Sequence, residues 1–235
     1  MQQQINTTAN NVKSETLISL QNIKKSYGSK EVLRGITLEI KKGDRIGVIG
    51  TNGAGKSTLS EVISGIRKPT SGHLDVTKNT LVGIQFQQSK YPVGISVYDL
   101  IKYYLEVYHI EMKKSELDDL MIKYQIIEFK NRAIEKLSGG QQQRVNILLS
   151  LIHNPDLVIF DEISTGLDIE VRQEIFDFIK ENVIDKNKAL MLVTHNMNEI
   201  EEMCNKFIYV DNGVIVEQGL VSEIVAEYGS VQNYT

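Results

Sequence analysis

Residues 46–65, with the sequence IGVIGTNGAGKSTLSEVISG, limit the possible folds of this chain more than any other stretch. A short apolar run leads into a glycine-rich turn, and the turn opens a helix. Gly50, Gly55, Lys56 and Ser57 fill the pattern G-x-x-x-x-G-K-[ST] of a phosphate-binding P-loop. Glycines suit such a loop because its backbone N–H groups must curl around phosphate oxygens, where a Cβ would block the approach. The stretch therefore predicts a strand, a phosphate-binding loop and a helix in direct succession.

The same loop predicts how a nucleotide would be held. The N-terminus of the helix offers unpaired N–H donors and a partial positive charge to an anion. Lys56 is expected to reach the β- and γ-phosphates of ATP, and Ser57 is expected to ligate Mg²⁺. The remaining predicted ATP-binding residues of the loop are Gly50, Asn52, Gly53, Ala54, Gly55 and Thr58.

The composition narrows the class of protein. With 235 residues the chain is long enough for one large domain with a substantial core. Its formal net charge of −4 gives no electrostatic case for a nucleic-acid partner, so none is expected. The single cysteine, Cys204, excludes an intramolecular disulfide, favours a reducing compartment and is expected to be a small buried residue. The sequence contains no signal peptide and no apolar run near the roughly 20 residues that span a bilayer, so another chain would supply any spanning helices.

The alternation of apolar and polar residues predicts the elements around the P-loop. Residues 1–16 are polar and are expected to form a disordered tail before a single domain over 17–235. Strands are predicted over 17–25, 32–40, 45–49, 73–76, 81–86, 157–160 and 189–193, with a turn at 26–29 and a hairpin over 206–218. Helices are predicted over 56–64, 169–183, 197–204 and 221–228.

From about Ser96 the apolar residues recur at helical spacing, as at Val97, Leu100 and Ile101. Residues 115–118 (SELD) resemble a capping box that opens a second helix. Residues from about 90 to 153 are therefore predicted to form a helical insert between strands of an α/β core.

Two further motifs follow: residues 137–144 read LSGGQQQR and residues 157–162 read LVIFDE. With the P-loop, they resemble the nucleotide-binding subunit of ABC (ATP-binding cassette) transporters over residues 17–228. The LSGGQ segment distinguishes this family from other P-loop proteins. The resemblance implies an α/β fold: a P-loop NTPase (ABC ATPase) core with an N-terminal antiparallel β portion and a helical insert. It also implies that ATP hydrolysis drives transport through permease subunits in separate chains.

The resemblance assigns catalytic and metal-binding roles to residues after the buried strands. Asp161 ends an apolar strand, where a carboxylate can hold Mg²⁺. Glu162 matches the family's catalytic base, and His195 matches the histidine that contacts the γ-phosphate. The family usually has proline where this chain has Ile163. Unlike proline, isoleucine has a backbone N–H, and the difference removes no catalytic group.

The family's ATP site is shared between two subunits. By resemblance, Ser138, Gly139, Gly140 and Gln141 contact the γ-phosphate held by the opposite subunit. Residues 164–168 match the D-loop at the dimer interface, with Asp168 as a further ATP-binding residue. The expected assembly is a homodimer or a pseudo-symmetric heterodimer of ATPase domains, bound peripherally at the cytoplasmic face of the cell membrane.

Two other matches extend the predicted site. Tyr27 matches the aromatic residue that stacks on adenine. Gln87 matches the Q-loop glutamine, which touches Mg²⁺ and senses the membrane partner, although Gln85 and Gln88 leave this register open. Three tyrosines of the insert either form a docking surface for the permease or pack the insert's own core: Tyr103, Tyr104 and Tyr108.

The direction of transport is predicted from residues 194–219, which look most like the ATPase subunits of bacterial exporters, so export is expected over import. The alternative from another class is a soluble ABC ATPase without a transport role, such as an iron–sulfur cluster assembly scaffold. The transported substrate is contacted by the permease and is not encoded in this chain.

Overall fold

The computed structural model describes residues 15–86 and 89–234. The strands are β1 Thr16–Tyr27, β2 Lys30–Lys41, β3 Arg45–Ile49, β4 Ser71–Val76, β5 Val82–Gln85, β6 Leu157–Asp161, β7 Ala189–Val193, β8 Lys206–Asp211 and β9 Val214–Leu220. The α-helices are α1 Lys56–Ile63, α2 Val97–Val107, α3 Lys114–Lys123, α4 Gly139–Leu151, α5 Ile169–Ile179, α6 Met197–Met203, α7 Val221–Tyr228 and α8 Val231–Tyr234.

The N-terminal half contains an antiparallel sheet in the order β2-β1-β4. Apolar residues of β1 and β2 alternate with exposed ones, which is typical of a sheet covered on one face. The covered face shares a buried cluster with α1 and with the second sheet, as at Leu33, Leu59 and Ile159. The predicted N-terminal antiparallel portion is therefore confirmed.

The second sheet has the order β5-β6-β7-β3-β8-β9, and its pairs are parallel except for the edge pair β8–β9. Strands β6 (LVIFD) and β7 (ALMLV) are buried at every position, as their continuous apolar runs predict. The carboxyl ends of parallel strands lie at one edge of a sheet, where ligands bind in α/β folds. This topology brings the residues after β3, β6 and β7 together.

Helices α2, α3 and α4 lie between β5 and β6 along the chain, although these two strands are neighbours in the sheet. Their apolar faces share one buried cluster, with Ile101 on α2, Met121 on α3 and Leu148 on α4. The helical stretch predicted from the change of period is present.

Several predicted boundaries are wrong by a few residues. Helix α3 begins at Lys114, before the expected capping box, because the Glu116 carboxylate accepts the backbone N–H of Lys113 at 2.7 Å. Strand β1 runs through Tyr27, which pairs with Lys30, so the predicted turn at 26–29 is confined to its last two residues. The α-helix predicted over 169–183 changes at Lys180–Ile184 to a π-helix.

The chain ends differ from the sequence-based expectation in two places. Strand β1 begins at Thr16, inside the predicted polar tail of residues 1–16, and residues 1–14 of that tail lie outside the described residues. The short helix α8 was not predicted. It packs on α6 and β8 through Val231 and Tyr234, whose ring contacts Phe207.

Candidate active site

The loop between β3 and α1 takes a form that its glycines make possible. Gly50 has φ 152°, and a Cβ there would lie 2.1 Å from the carbonyl oxygen of Val210. Gly55 has φ 107°, and a Cβ there would lie 3.1 Å from the carbonyl oxygen of Val32. Any side chain at either position would require the backbone to move. The P-loop is therefore packed tightly between β2 and β8 in the ligand-free chain.

Lys56 lies buried at the start of α1 with its ammonium group turned back over the loop. Its Nζ donates to the carbonyl oxygens of Gly50 at 2.7 Å and Thr51 at 3.0 Å. Burial lowers the pKa of Lys56, and the nearby carboxylates of Asp161 and Glu162 oppose that shift. The loop thus holds a cation at its centre, bonded to acceptors that a phosphate oxygen can replace.

A cavity of about 580 Å³ opens over the P-loop, a volume typical of ligand sites. Its walls bring together the P-loop and the residues that follow β6 and β7. The lining residues are Lys30, Val32, Asn52, Gly53, Gly55, Lys56, Ser57, Thr58, Asp161, Glu162 and His195. Lys30 and Val32 were not predicted; their only sequence signal is that the antiparallel portion must cover one side of the loop. Gly50 and Ala54, which were also predicted to bind ATP, are buried and lie outside this lining.

Asp161 is the last residue of β6 and is buried. Burial raises the pKa of its carboxyl, and the charge of Glu162 adds to that rise. A hydrogen bond from the side chain of Ser57 acts in the opposite direction. The structure therefore joins two of the three residues predicted to bind Mg²⁺, Ser57 and Asp161.

Glu162 has a left-handed backbone, with φ 54°, which costs a non-glycine residue about 1–3 kcal/mol. Its N–H donates to the carbonyl oxygen of Val193 at 2.8 Å, so the bend is held against the end of β7. The bend places Oε1 of Glu162 at 3.2 Å from Nε2 of His195. The next residue, Ile163, is buried in the core, so the family's usual proline is replaced here by an apolar contact.

The LSGGQ segment lies elsewhere on the chain. Ser138 caps α4, accepting the N–H of Gln141 at 3.3 Å, and the Gln141 side chain accepts the N–H of Ser138 at 3.2 Å. Gly140 faces α5, where a Cβ would lie 2.9 Å from Cγ1 of Val171. Gly139 is exposed beside it in the first turn of α4.

Ser138, Gly140 and Gln141 line a second cavity of about 460 Å³. No described residue lines both this cavity and the P-loop cavity. Asp168, predicted from the D-loop match, caps α5 by accepting the N–H of Val171 at 2.9 Å. One copy of the chain therefore does not bring the predicted LSGGQ contacts to its own P-loop.

Tyr27, at the end of β1, is 40% exposed and lies outside the lining of the P-loop cavity. The guanidinium of Arg67 and the Nζ of Lys25 each lie 5.4 Å from the centre of its ring. Arg67 also forms a salt bridge with Glu61, so the charged side chains of Lys25, Glu61 and Arg67 surround the tyrosine ring. This leaves an exposed aromatic surface beside the last turn of α1.

Three glutamines at or just after the end of β5 are candidates for the Q-loop residue. Gln87 and Gln88 lie outside the described residues. Gln85, the third possible match, ends β5 and is buried, and its Oε1 has no hydrogen-bond partner in the described part of the chain.

Cys204 is buried at the end of α6, as predicted, and burial raises the pKa of its thiol to about 12.

A P-loop at the carboxyl edge of a parallel sheet, facing a buried aspartate and a glutamate–histidine pair, defines a nucleotide-binding ATPase. Residues 33–165 match the family model described as ABC transporter. An uncharacterized ABC transporter ATP-binding protein of Methanocaldococcus jannaschii is 32% identical over 219 residues, covering 92% of this chain and 82% of that protein. The chain belongs to the ABC transporter family, as an ATP-binding subunit that hydrolyses ATP.

Two further comparisons concern direction and assembly. The methionine import ATP-binding protein MetN of Helicobacter acinonychis is 32% identical over 227 residues, covering 89% of this chain and 69% of MetN. A dimeric ATP-binding cassette in a post-hydrolysis state, bound to ADP and Pi, has a TM-score of 0.78 and 25% identity, covering 87% of this chain and 98% of that one. ABC ATPases bind nucleotide, dimerise and work with transmembrane permease subunits.

In the described residues of this chain, every helix is too short or too polar to cross a membrane.

The predicted export direction is not supported, because MetN is an import protein. That prediction depended on residues 194–219, which form the turn at His195, α6 and the hairpin of β8 and β9. These elements belong to the ATPase core, which import and export both require. Local resemblance there therefore carries little information about direction.

Proposed function

We propose that this chain hydrolyses ATP in the P-loop cavity to drive import of a substrate through separate permease subunits. Similarity to MetN over most of the chain supports import. The observation that carries the catalytic proposal is that Lys56, Glu162 and His195 line one cavity although they are far apart in sequence. In this proposal the chain works as a peripheral subunit at the cytoplasmic face of the membrane, where ATP is available.

The residues of the cavity fit a Mg²⁺ ion, which prefers oxygen donors. Ser57 and Asp161 already share a hydrogen bond, and the buried Asp161 carboxylate gains from a nearby cation. We assign Mg²⁺ to these two residues, with Gln87 as the third ligand implied by the family. When bound, Mg²⁺ would neutralise charge on the β- and γ-phosphates. In residues 15–86 and 89–234 no group of three or more His, Cys, Asp and Glu side chains forms a metal cluster, so the ion is expected to enter with ATP.

Each side chain around the phosphates has a physical task in this proposal. Lys56 exchanges its loop carbonyls for phosphate oxygens, and the N–H groups of the P-loop hold the rest of the triphosphate. Glu162 polarises the attacking water, and His195 contacts the γ-phosphate and orients it toward that water. Phosphoryl transfer needs little covalent help from a protein, so positioning and charge account for the catalysis.

The separation of the two cavities supports a site shared between two subunits. If ATP contacts both the P-loop and the LSGGQ segment, the second contact must come from another ATPase domain. A two-fold pair places Lys56 of one subunit and Ser138 of the other on the same nucleotide. The γ-phosphate supplies the charge that both surfaces bind, and hydrolysis removes it. A homodimer and a pseudo-symmetric heterodimer both satisfy this geometry.

The tyrosines of the insert divide between the two roles considered for them. Tyr104 packs against the core, while Tyr103 and Tyr108 are exposed by 59% and 42%. Tyr108 stacks on His153 with a 4.2 Å distance between ring centres, at the edge of a groove of about 320 Å³. We propose that the permease docks on this exposed aromatic edge, away from the P-loop cavity.

The proposal is tested by purifying the native chain from solubilised membranes and identifying what accompanies it. A polytopic membrane protein should co-purify, and Lys56→Ala should retain it because the groove shares no described residue with the P-loop cavity. Soluble partners alone would instead support the ATPase without a transport role.

Direction is tested by comparing cells that lack the chain with cells that carry it. Import predicts a compound that stays in the medium and is depleted inside the cells that lack the chain. A compound that accumulates inside those cells would contradict import.

A further inference from the structure

A buried carboxylate joins the two segments that carry Glu162 and His195. Glu199, in the first turn of α6, is 1% exposed. It accepts hydrogen bonds from the hydroxyl of Thr194 at 2.7 Å, the hydroxyl of Ser164 at 2.5 Å and the side-chain amide of Asn196 at 3.2 Å. A buried carboxylate is costly unless donors satisfy it, so this arrangement requires both segments to stay in place.

The three donors lie next to the proposed catalytic residues. Ser164 is two residues after Glu162, in the loop that leads to α5. Thr194 and Asn196 are the two neighbours of His195 in sequence. The Thr194 hydroxyl also accepts the N–H of Asn196 at 3.0 Å, which closes a tight turn beneath His195. Both ends of the 3.2 Å Glu162–His195 contact are therefore tied to the same carboxylate.

Arg172 of α5 supplies positive charge to this cluster. Its guanidinium lies 4.0 Å from Oε1 of Glu199, and its buried Nε has no hydrogen-bond partner in the described residues. Glu199 was not singled out from the sequence. The sequence signal for it is an acidic residue four positions before the apolar Met203, which places both on one face of the predicted helix.

We propose that Glu199 is a positioning residue that fixes the spacing between Glu162 and His195 by clamping the loop of Ser164 to the turn of Thr194. It touches neither ATP nor water in this role, and the inference depends on the proposed functions of Glu162 and His195. Because the clamp lies on one carboxylate, loosening either arm should displace the catalytic pair. The P-loop, which binds the triphosphate, should be unaffected.

The test compares steady-state ATP hydrolysis by Ser164→Ala, Thr194→Val and Glu199→Gln with the unaltered chain. The two single-arm variants should lower kcat by about 10- to 100-fold, as small misplacements of catalytic groups do. KM for ATP should change by less than about twofold, because ground-state binding is retained. Thr194→Ser keeps the hydroxyl and should restore activity, and Glu199→Gln keeps the shape and one acceptor and should be less impaired than Glu199→Ala.

A merely structural role is excluded by a matched control and a double variant. Ser150→Ala removes a buried serine hydroxyl of α4 that bonds the Ile147 carbonyl at 2.8 Å and takes no part in the hydrogen bonds to Glu199, and it should leave kcat unchanged. Ser164→Ala with Thr194→Val should lose little more activity than either alone, because both act through Glu199. Independent, multiplying losses would overturn the clamp, as would lower melting temperatures with unchanged kcat.

Failure of this inference is distinguishable from failure of the proposed function. Glu162→Gln, measured beside the clamp variants, reports on the catalytic assignment alone. If Glu162→Gln abolishes hydrolysis and the clamp variants do not, Glu199 has no positioning role. If Glu162→Gln remains active, the catalytic assignment itself is wrong.

Discussion

In the candidate active site, Nε2 of His195 lies 3.2 Å from Oε1 of Glu162. The two residues are 33 positions apart in the chain and come from the ends of adjacent parallel strands, β6 and β7. The left-handed backbone of Glu162 turns its carboxylate toward the histidine, and this cost in backbone energy is a common feature of functional sites. The parallel order of β6 and β7 therefore brings the two proposed catalytic side chains together.

The first prediction concerns this pair. Both His195→Ala and Glu162→Gln should lower kcat by about 10²–10⁴-fold, the range for loss of a positioned acid–base group. The double variant should lose little more than the worse single variant, since the two residues act together. Steady-state phosphate release measures this, and independent effects of the two substitutions would count against a coupled pair.

Lys56→Ala is expected to weaken ATP binding by about 10- to 100-fold while the chain stays folded, as loss of a charged hydrogen bond implies. Its Nζ donates to the loop carbonyls of Gly50 and Thr51, and the substitution removes no residue of the apolar core. Nucleotide titration and circular dichroism measure binding and fold. Lys186→Ala, at an exposed site, is the matched control. A folded variant that binds ATP with unaltered affinity would remove Lys56 from the phosphate site.

Tyr27→Ala should weaken ATP and GTP binding equally, by about 1–3 kcal/mol, because stacking uses the face of a base and does not read its edge. Tyr27→Phe keeps the ring and loses only a long contact of 3.4 Å with Glu61, so it should bind both nucleotides normally. Fluorescence titration with each nucleotide decides between stacking and a surface role. Unchanged binding by Tyr27→Ala would show that the ring is not used.

Asp161→Asn should abolish hydrolysis and yet stabilise the nucleotide-free chain by about 0.5–2 kcal/mol. Burial raises the pKa of Asp161 above its unfolded value. Because the folded chain binds this proton more tightly than the unfolded chain, protonation of Asp161 stabilises the fold at low pH. This stabilisation is complete below the pKa of the unfolded chain and is lost as pH rises through the pKa of the folded chain. The ionised carboxylate therefore costs stability at neutral pH, and asparagine removes the charge. Chemical denaturation at pH 7 and pH 4 measures the difference, which should shrink at the lower pH; an equal or larger gain at pH 4 would contradict this account.

The sequence predicted those features that local pattern determines. The P-loop glycines, the buried runs of β6 and β7, and the turn at Asn212 and Gly213, which both have positive φ, follow from steric and hydrophobic rules acting over a few residues. Helix ends were less accurate because caps depend on single contacts, as between Lys113 and Glu116.

The tertiary parts of the site were beyond sequence reasoning. The approach of His195 to Glu162 depends on strand order, and the burial of Glu199 depends on how α6 packs. The separation of Ser138 from the P-loop cavity also depends on tertiary packing, and in the sequence only the family resemblance implies it. The prediction of export was wrong because it depended on residues of the ATPase core, which importers and exporters both need.

In the proposed assembly, ATP binds between Lys56 of one subunit and Ser138 of another. It is tested by light scattering after gel filtration of Glu162→Gln protein, which should bind ATP but hydrolyse it slowly. We expect a monomer without nucleotide, a dimer with ATP, and a monomer under both conditions when Ser138→Arg is added. A dimer that Ser138→Arg leaves intact would remove the LSGGQ segment from the interface, and a Glu162→Gln protein that stays monomeric at saturating ATP would contradict a self-sufficient homodimer.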